Sequence, residues 1–191
     1  MTDRRYVRRQ NLEDNALQFA NVLLPQLDIE LTERCNNACT HCYINRPAGD
    51  AGARARELDA AQWQDILRQA ADLGALSVRM TGGEPLLRED FTEIYLTARR
   101  LGMKVQLLTN GRLITRKLAE LWARIPPLMP IEITVYGMKP ATYDATARHA
   151  GAYGEFRRGV ALLEEHRIPF IVKATALPTN QEDVDEFVLA G

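Results

Sequence analysis

Five short strand-like runs, each of the four gaps between them holding a helix-length amphipathic segment, leave this chain few ways to fold. Leu27–Leu31, Ser77–Met80, Lys104–Leu108, Ile131–Val135 and Phe170–Ala174 read as strands, the first by its alternation L-D-I-E-L. A helix from Asp59 to Leu73 follows from Trp63, Ile66, Leu67, Ala70 and Leu73 on one face, with Asp59 as N-cap and Gly74 as terminator. Further helices are expected over Phe91–Leu101 (ended by Gly102), Ile114–Ile125 (stopped by Pro126-Pro127) and Tyr153–His166, where Phe156, Val160 and Leu163 turn inward. Consecutive strands joined through helices require right-handed crossovers, hence a parallel sheet and an α/β class. Binding sites in such sheets collect at the C-terminal strand ends. Outside this frame, Leu12–Leu23 reads as a short helix lying as a lid behind the basic tip Arg4, Arg5, Arg8 and Arg9, Ile44–Glu57 as an exposed loop, and Asp183–Leu189 as the start of another helix.

The three cysteines of the chain all fall in Glu33–Tyr43, E-R-C-N-N-A-C-T-H-C-Y, directly after the first strand. An odd count argues against a disulfide framework. Three thiolates in a loop suit a soft metal centre, either zinc with a fourth ligand such as His41 or an iron–sulfur cluster. With only three cysteines, a four-iron cluster keeps one iron open to a substrate or cofactor. The second strand runs into Thr81–Pro85, T-G-G-E-P. Two adjacent glycines allow close approach of backbone, and Glu84 sets a carboxylate beside them, suited to an ammonium group. Thr109-Asn110-Gly111 and Thr134–Gly137 occupy the corresponding ends of the third and fourth strands.

The spacing Cys35-x3-Cys39-x2-Cys42, followed by Gly82-Gly83-Glu84, resembles the radical S-adenosylmethionine (SAM) enzymes. The segment I-T-V-Y-G is similar to the fourth-strand motif of their peptide-modifying (SPASM-type) maturases. The resemblance runs from about Leu27 to the end of the chain. It implies a partial (βα)6 TIM-like barrel, of which about five βα units are recognisable, with residues 1–26 as an N-terminal extension and 27–191 as a radical SAM core whose pattern stops inside the fifth helix, as in a C-terminally truncated chain. It further implies a [4Fe-4S] cluster on Cys35, Cys39 and Cys42, and SAM bound by Gly82, Gly83 and Glu84. His41 would lie near the adenine, Thr134 against the ribose or methionine, and Arg148 against the carboxylate. Asn110 is a further ligand candidate, and Tyr136 faces either the substrate or the barrel mouth. The implied reaction is reductive cleavage of SAM to a 5′-deoxyadenosyl radical that abstracts a substrate hydrogen. The implied partners are a peptide or small-molecule substrate and an electron donor such as flavodoxin or ferredoxin. No acid–base dyad is evident, since His41, His149 and His166 are scattered.

Composition narrows the alternatives. A net charge of −1 and a pI near 6.3 do not suit a dedicated nucleic-acid surface. No apolar run approaches the roughly 20 residues of a membrane span, and no apolar stretch of signal-peptide type follows the basic start. A reducing cytoplasm, where three free thiols survive, is the expected location. Two competing readings stand beside the leading one. One is a non-catalytic relic or scaffold that binds zinc or a cluster, and the other is a radical enzyme of small-molecule cofactor biosynthesis.

Overall fold

The computed structural model describes residues 24–44 and 46–183. Its frame is a five-stranded sheet built from β1 (Gln26–Glu30), β4 (Ser77–Thr81), β5 (Lys104–Thr109), β6 (Ile131–Val135) and β7 (Phe170–Ala174), all parallel and in that order. A parallel pair of two-residue strands, β2 (Arg34–Cys35) and β3 (Arg46–Pro47), brackets the cysteine loop. The helices are α1 (Ala51–Arg56), α2 (Ala60–Asp72), α3 (Phe91–Arg100), α4 (Arg116–Arg124), α5 (Pro140–Ala147) and α6 (Ala152–Glu165). This is the α/β architecture of a partial (βα) barrel, and the strands and main helices fall within a residue or two of the sequence expectation.

Helix starts are fixed locally. Asp59 and Gln62 form a reciprocal capping box on α2, and Thr115 caps α4 through the Leu118 amide at 3.3 Å. One side of the sheet is the core. Val78, Met80, Val105, Leu107, Ile131 and Ile133 are buried with Trp63 and Leu67 of α2, Ile94 and Tyr95 of α3, Trp122 of α4 and Leu163 of α6 in one apolar cluster. Each such side chain, fully buried, contributes about 1.5–3 kcal/mol. On the other face the alternate residues include the polar set Asp28, Arg79, Gln106, Glu132 and Lys173. Asp28 accepts from Arg79 at 2.9 Å, Arg79 donates to Gln106 at 2.9 Å, Gln106 donates to Glu132 at 3.4 Å, and Lys173 pairs with Glu132 at 2.8 Å. This wall is polar and hydrogen-bonded, unlike the layers of branched apolar side chains that fill a closed barrel.

Two differences from the sequence reading have physical causes. Ile44–Glu57 is not a plain exposed loop, because it contains β3 and α1. Asp50 caps α1 by accepting from the Ala53 amide at 2.8 Å, Ala53 is buried, and the Ala/Arg composition that looked like loop material is helix-forming. Helix α5 has no counterpart in the sequence reading, since its buried face is the mixed set Tyr143, Thr146 and Ala147. The expected helix Leu12–Leu23 lies outside the described residues. Of the expected Asp183–Leu189 helix, Asp183 ends a 3-10 turn begun at Gln181, and the remainder lies outside the described residues.

Candidate functional site

The cysteine loop leaves β1 at the C-terminal end of the sheet and is tied down on three sides. The first tie is to the diglycine turn after β4. The Gly83 amide donates to Thr32 O at 2.7 Å and the Glu84 amide to Arg34 O at 2.8 Å. Gly82 sits at φ +129°, and a Cβ on Gly82 or Gly83 would overlap the Thr32 or Arg34 carbonyl. The glycines are therefore required for the turn to close onto the chain one residue before Cys35. The second tie is to α5, whose last carbonyls hold the loop: Ala38 N donates to Ala147 O at 3.0 Å and Thr40 N to Thr146 O at 3.1 Å. The third is Arg112, buried, which donates to Asn36 O at 2.6 Å and to Asn37 Oδ1 and is itself held by Glu155 at 2.7 Å.

Beneath the loop lies a network of charges. Arg34 pairs with Glu57 at 2.7 Å. Arg88 donates to Leu31 O at 2.9 Å and Leu58 O at 2.8 Å and pairs with Asp90 at 2.6 Å and Glu57 at 3.5 Å. Burial pushes the Glu57 carboxyl up, but its hydrogen bonds from Arg34 and Thr32 and the nearby Arg88 charge outweigh this and leave it below its ordinary value. Removing one partner of a buried pair strands the other charge, so these arginines fix where the loop begins.

Cys42 lies close enough to Cys35 and Cys39 to help raise the pKa of both. Burial, with Glu84, Cys39 and Cys42 adding to it, pushes Cys35 up to about 12 against a lowering hydrogen bond from the Asn37 amide. Burial likewise raises Cys39, while Tyr136 and Asn37 pull it down. Clustered, buried thiols that resist deprotonation alone are the donor set that a metal centre converts to thiolates. Hydrogen-bond donors gather around them. Asn37 N donates to Cys35 Sγ at 3.4 Å and Asn110 Nδ2 reaches the same sulfur at 3.9 Å, while Asn36 Nδ2, Asn37 Nδ2 and Tyr143 Oη are buried without a partner. Orphaned buried donors call for an electron-rich partner, so these residues fit a thiolate-bound cluster. Among the described residues no three His, Cys, Asp or Glu side chains converge as for a single ion. Three cysteines that each bind a different iron do not need to.

The other sequence candidates distribute unevenly around this centre. Asn110 is 4% exposed and belongs to it, donating to Asn36 Oδ1 at 2.7 Å. Glu84 is 0% exposed, and its carboxylate accepts from Thr109 Oγ1 at 2.8 Å, Asn110 N at 2.8 Å and Leu86 N at 3.1 Å. It thus clamps the turn after β4 to the turn after β5, with one of about four lone-pair places left open. Burial raises its pKa against those three donors. His41 is exposed, its ring 5.9 Å from that of Tyr136. Thr134 is half-buried on the polar face, between Glu132 and Tyr136 in strand alternation and opposite Lys173. Arg148 is exposed at the left-handed C-cap of α5 (φ 50°), one residue past the carbonyls that hold the cysteine loop. Arg34, Asn37, Arg88 and Arg112 escaped the sequence reading. Their one sequence signal is position, since Arg34 and Asn37 lie inside the cysteine stretch and Arg88 and Arg112 lie within three residues of Pro85 and Thr109.

Comparison with known proteins places this geometry. The sequence model of the Radical SAM superfamily matches residues 29–190. A PqqA peptide cyclase of Xanthomonas axonopodis pv. citri is 32% identical over 156 residues, covering 82% of this chain and 41% of the relative. Another from Rhizobium meliloti is 30% identical over 164 residues, covering 83% and 41%. The chain thus spans about two-fifths of the length of the curated relatives it matches. Among solved structures, Streptococcus suis SuiB bound to S-adenosylmethionine superposes with a TM-score of 0.73 at 23% identity, over 90% of this chain and 39% of that one. BtrN in complex with AdoMet and 2-DOIA gives a TM-score of 0.58 at 19% identity, over 80% and 57%. Those two likenesses establish the shared fold, and the family match carries the assignment: this chain belongs to the Radical SAM superfamily.

Proposed function

We propose that the chain is the radical SAM part of a peptide-modifying enzyme, with residues 27–191 as its core and residues 1–26 as an extension. Cys35, Cys39 and Cys42 hold a [4Fe-4S] cluster, and Gly82, Gly83, Glu84, Asn110, Thr134, His41 and Arg148 surround SAM. The observation that carries this reading is the main-chain pairing of Gly83 and Glu84 with Thr32 and Arg34, which ties the diglycine turn to the chain that leads into Cys35. When bound, the cluster and SAM supply one-electron cleavage of the sulfonium and a carbon radical for hydrogen abstraction.

The chain's own residues bind, orient and shield. Glu84 holds the turn's shape through Thr109 and Asn110, so the Gly82–Glu84 backbone groups are what it offers an amino-acid moiety, with the one open carboxylate place beside them. Asn110 couples that turn to the cysteine loop through Asn36. In this reading Thr134, on the strand face it shares with Glu132, and Arg148, beside the loop's α5 anchor, contact the remainder of SAM. The polar wall from Asp28 to Lys173 presents donors and acceptors, which suit a peptide better than an apolar ligand. Two further observations support a peptide: the relatives are named PqqA peptide cyclases, and SuiB has been solved with its precursor peptide SuiA. The reading also entails a flavodoxin- or ferredoxin-type electron donor and a reducing, cytoplasmic setting. No helix among the described residues is long and apolar enough to cross a membrane.

Anaerobic reconstitution with iron and sulfide tests this. The expected product is a brown protein absorbing near ~400 nm, which releases 5′-deoxyadenosine when given dithionite and SAM. Stoichiometric zinc with no SAM cleavage overturns the reading in favour of a metal-binding scaffold. Glu84→Ala is expected to keep the cluster and weaken SAM binding.

A further inference from the structure

The exposed rim of the cysteine loop is drawn from two stretches of chain. Thr40, His41, Tyr43 and Arg46 come from the loop and β3. Arg148 and His149 follow the α5 carbonyls that accept from Ala38 N at 3.0 Å and Thr40 N at 3.1 Å. Tyr43 is 87% exposed, more than any other large apolar side chain among the described residues. It adjoins Cys42, the one of the three cysteines that is not fully buried.

Charge on this rim is one-sided. The chain holds 25 acidic residues, yet neither 34–49 nor 145–154 contains one. The acids at the flanks of these stretches have other partners. Glu33 pairs with Arg56 at 2.8 Å, and Asp50 caps α1 through the Ala53 amide at 2.8 Å. Asp144 accepts from the Gly151 and Tyr153 amides at 2.6 and 2.9 Å, and Glu155 holds Arg112 at 2.7 Å. Asp50 also lies 3.9 Å from the Arg46 guanidinium, a long and solvated pair that leaves the Arg46 side chain 56% exposed.

We propose that this rim is the docking surface of an acidic one-electron carrier protein, with Tyr43 as its anchor and Arg46 and Arg148 as attracting charges. This rests on the cluster assignment above and deepens it. A carrier passes its electron only where it comes close to the cluster, and in that reading SAM occupies the Gly82–Glu84 side of the loop. One electron leaves an anionic flavin hydroquinone, which becomes the neutral semiquinone, and enters the oxidised cluster; no bond forms and no proton moves. Opposite charge speeds the encounter and is screened by salt. Tyrosine and arginine are the side chains that most often anchor such contacts.

Transfer runs both ways across one surface, so the test uses the downhill direction. The full chain is reconstituted anaerobically, reduced with dithionite and freed of it. It is then mixed with an oxidised flavodoxin of strongly negative net charge, and the flavin semiquinone is followed. A neutral quinone serves in parallel as an oxidant that needs no docking surface. Arg46→Glu is expected to slow transfer to flavodoxin about tenfold at low salt, the difference narrowing as salt rises. Tyr43→Ser is expected to slow it about tenfold at every salt concentration. Lys104→Glu, exposed at the opposite end of the sheet, changes net charge as Arg46→Glu does and is expected to match the parent. The quinone should oxidise all four proteins alike. Rates to flavodoxin that do not differ overturn the proposal and leave the cluster assignment standing. A slowing that the quinone or Lys104→Glu shares overturns it as well, and so does a parent that reacts with the quinone but not with flavodoxin. A parent chain that assembles no cluster overturns the assignment and this inference together.

Discussion

The two ends of one strand, β5, show how differently this molecule treats its interior and its rim. Val105 and Leu107 are buried among apolar side chains from α2, α3 and α4, where any hydrophobic residue of the right volume serves. Two to five residues past Leu107, Thr109, Asn110 and Arg112 are also buried, yet every one is polar and hydrogen-bonded to the cysteine loop, to Glu84 or to Glu155. The core gains stability from area removed from water. The rim gives up part of that gain to hold donors in place, as sites that need fixed polar geometry do.

Substitutions at the two ends should separate accordingly. Cys39→Ala is expected to abolish cluster assembly with little loss of fold, read as iron and sulfide content against thermal melting; an intact cluster removes Cys39 from the ligand set. Arg88→Ala leaves Glu57 paired with Arg34 but takes the guanidinium away from Asp90 and from the Leu31 and Leu58 carbonyls, and should cost about 1–3 kcal/mol in denaturant unfolding for each buried acceptor left without its donor. Leu107→Ala, in the core, should cost about 2–5 kcal/mol and leave the diglycine turn and the cysteine loop joined. If Leu107→Ala impairs SAM binding more than Arg88→Ala does, the division between interior and rim fails.

A pH titration sharpens the same contrast. Glu57 has its folded pKa below the ordinary 4.5, so its contribution to stability is fully present above that value and is lost as pH falls through the lowered one. Glu57→Gln should therefore flatten the acid limb of the melting temperature between neutral pH and the low-pH side of 4.5; an unchanged acid limb dismisses Glu57 as its source. The smallest expected effect is Thr115→Ala, which removes the N-cap of α4 at about 1 kcal/mol and should leave the cluster untouched.

The interior was legible before the structure because periodicity encodes it. Apolar spacing named Trp63, Leu67, Phe156 and Leu163, and capping chemistry named Asp59. It was least legible where the buried face is mixed, so α5 went unread and α1 passed for loop. At the rim, motif spacing named Cys35, Cys39, Cys42, Gly82, Gly83 and Glu84, and the structure hydrogen-bonds the Gly83–Glu84 turn to the chain just before Cys35. What the motif implied about local roles was less complete. Gly82 and Gly83 approach the Thr32–Arg34 backbone, and Glu84 is spent largely on Thr109 and Asn110.

By itself, then, the order of residues determined a parallel α/β sheet with its chemistry at the C-terminal strand ends, because helix and strand periods and crossover handedness are local properties of the chain. Only the tertiary structure decided which charges hold the cysteine loop. Arg34 meets Glu57 and Arg112 meets Asn37 across 23 and 75 positions, and long side chains find such partners only once the packed core has fixed the distance between them.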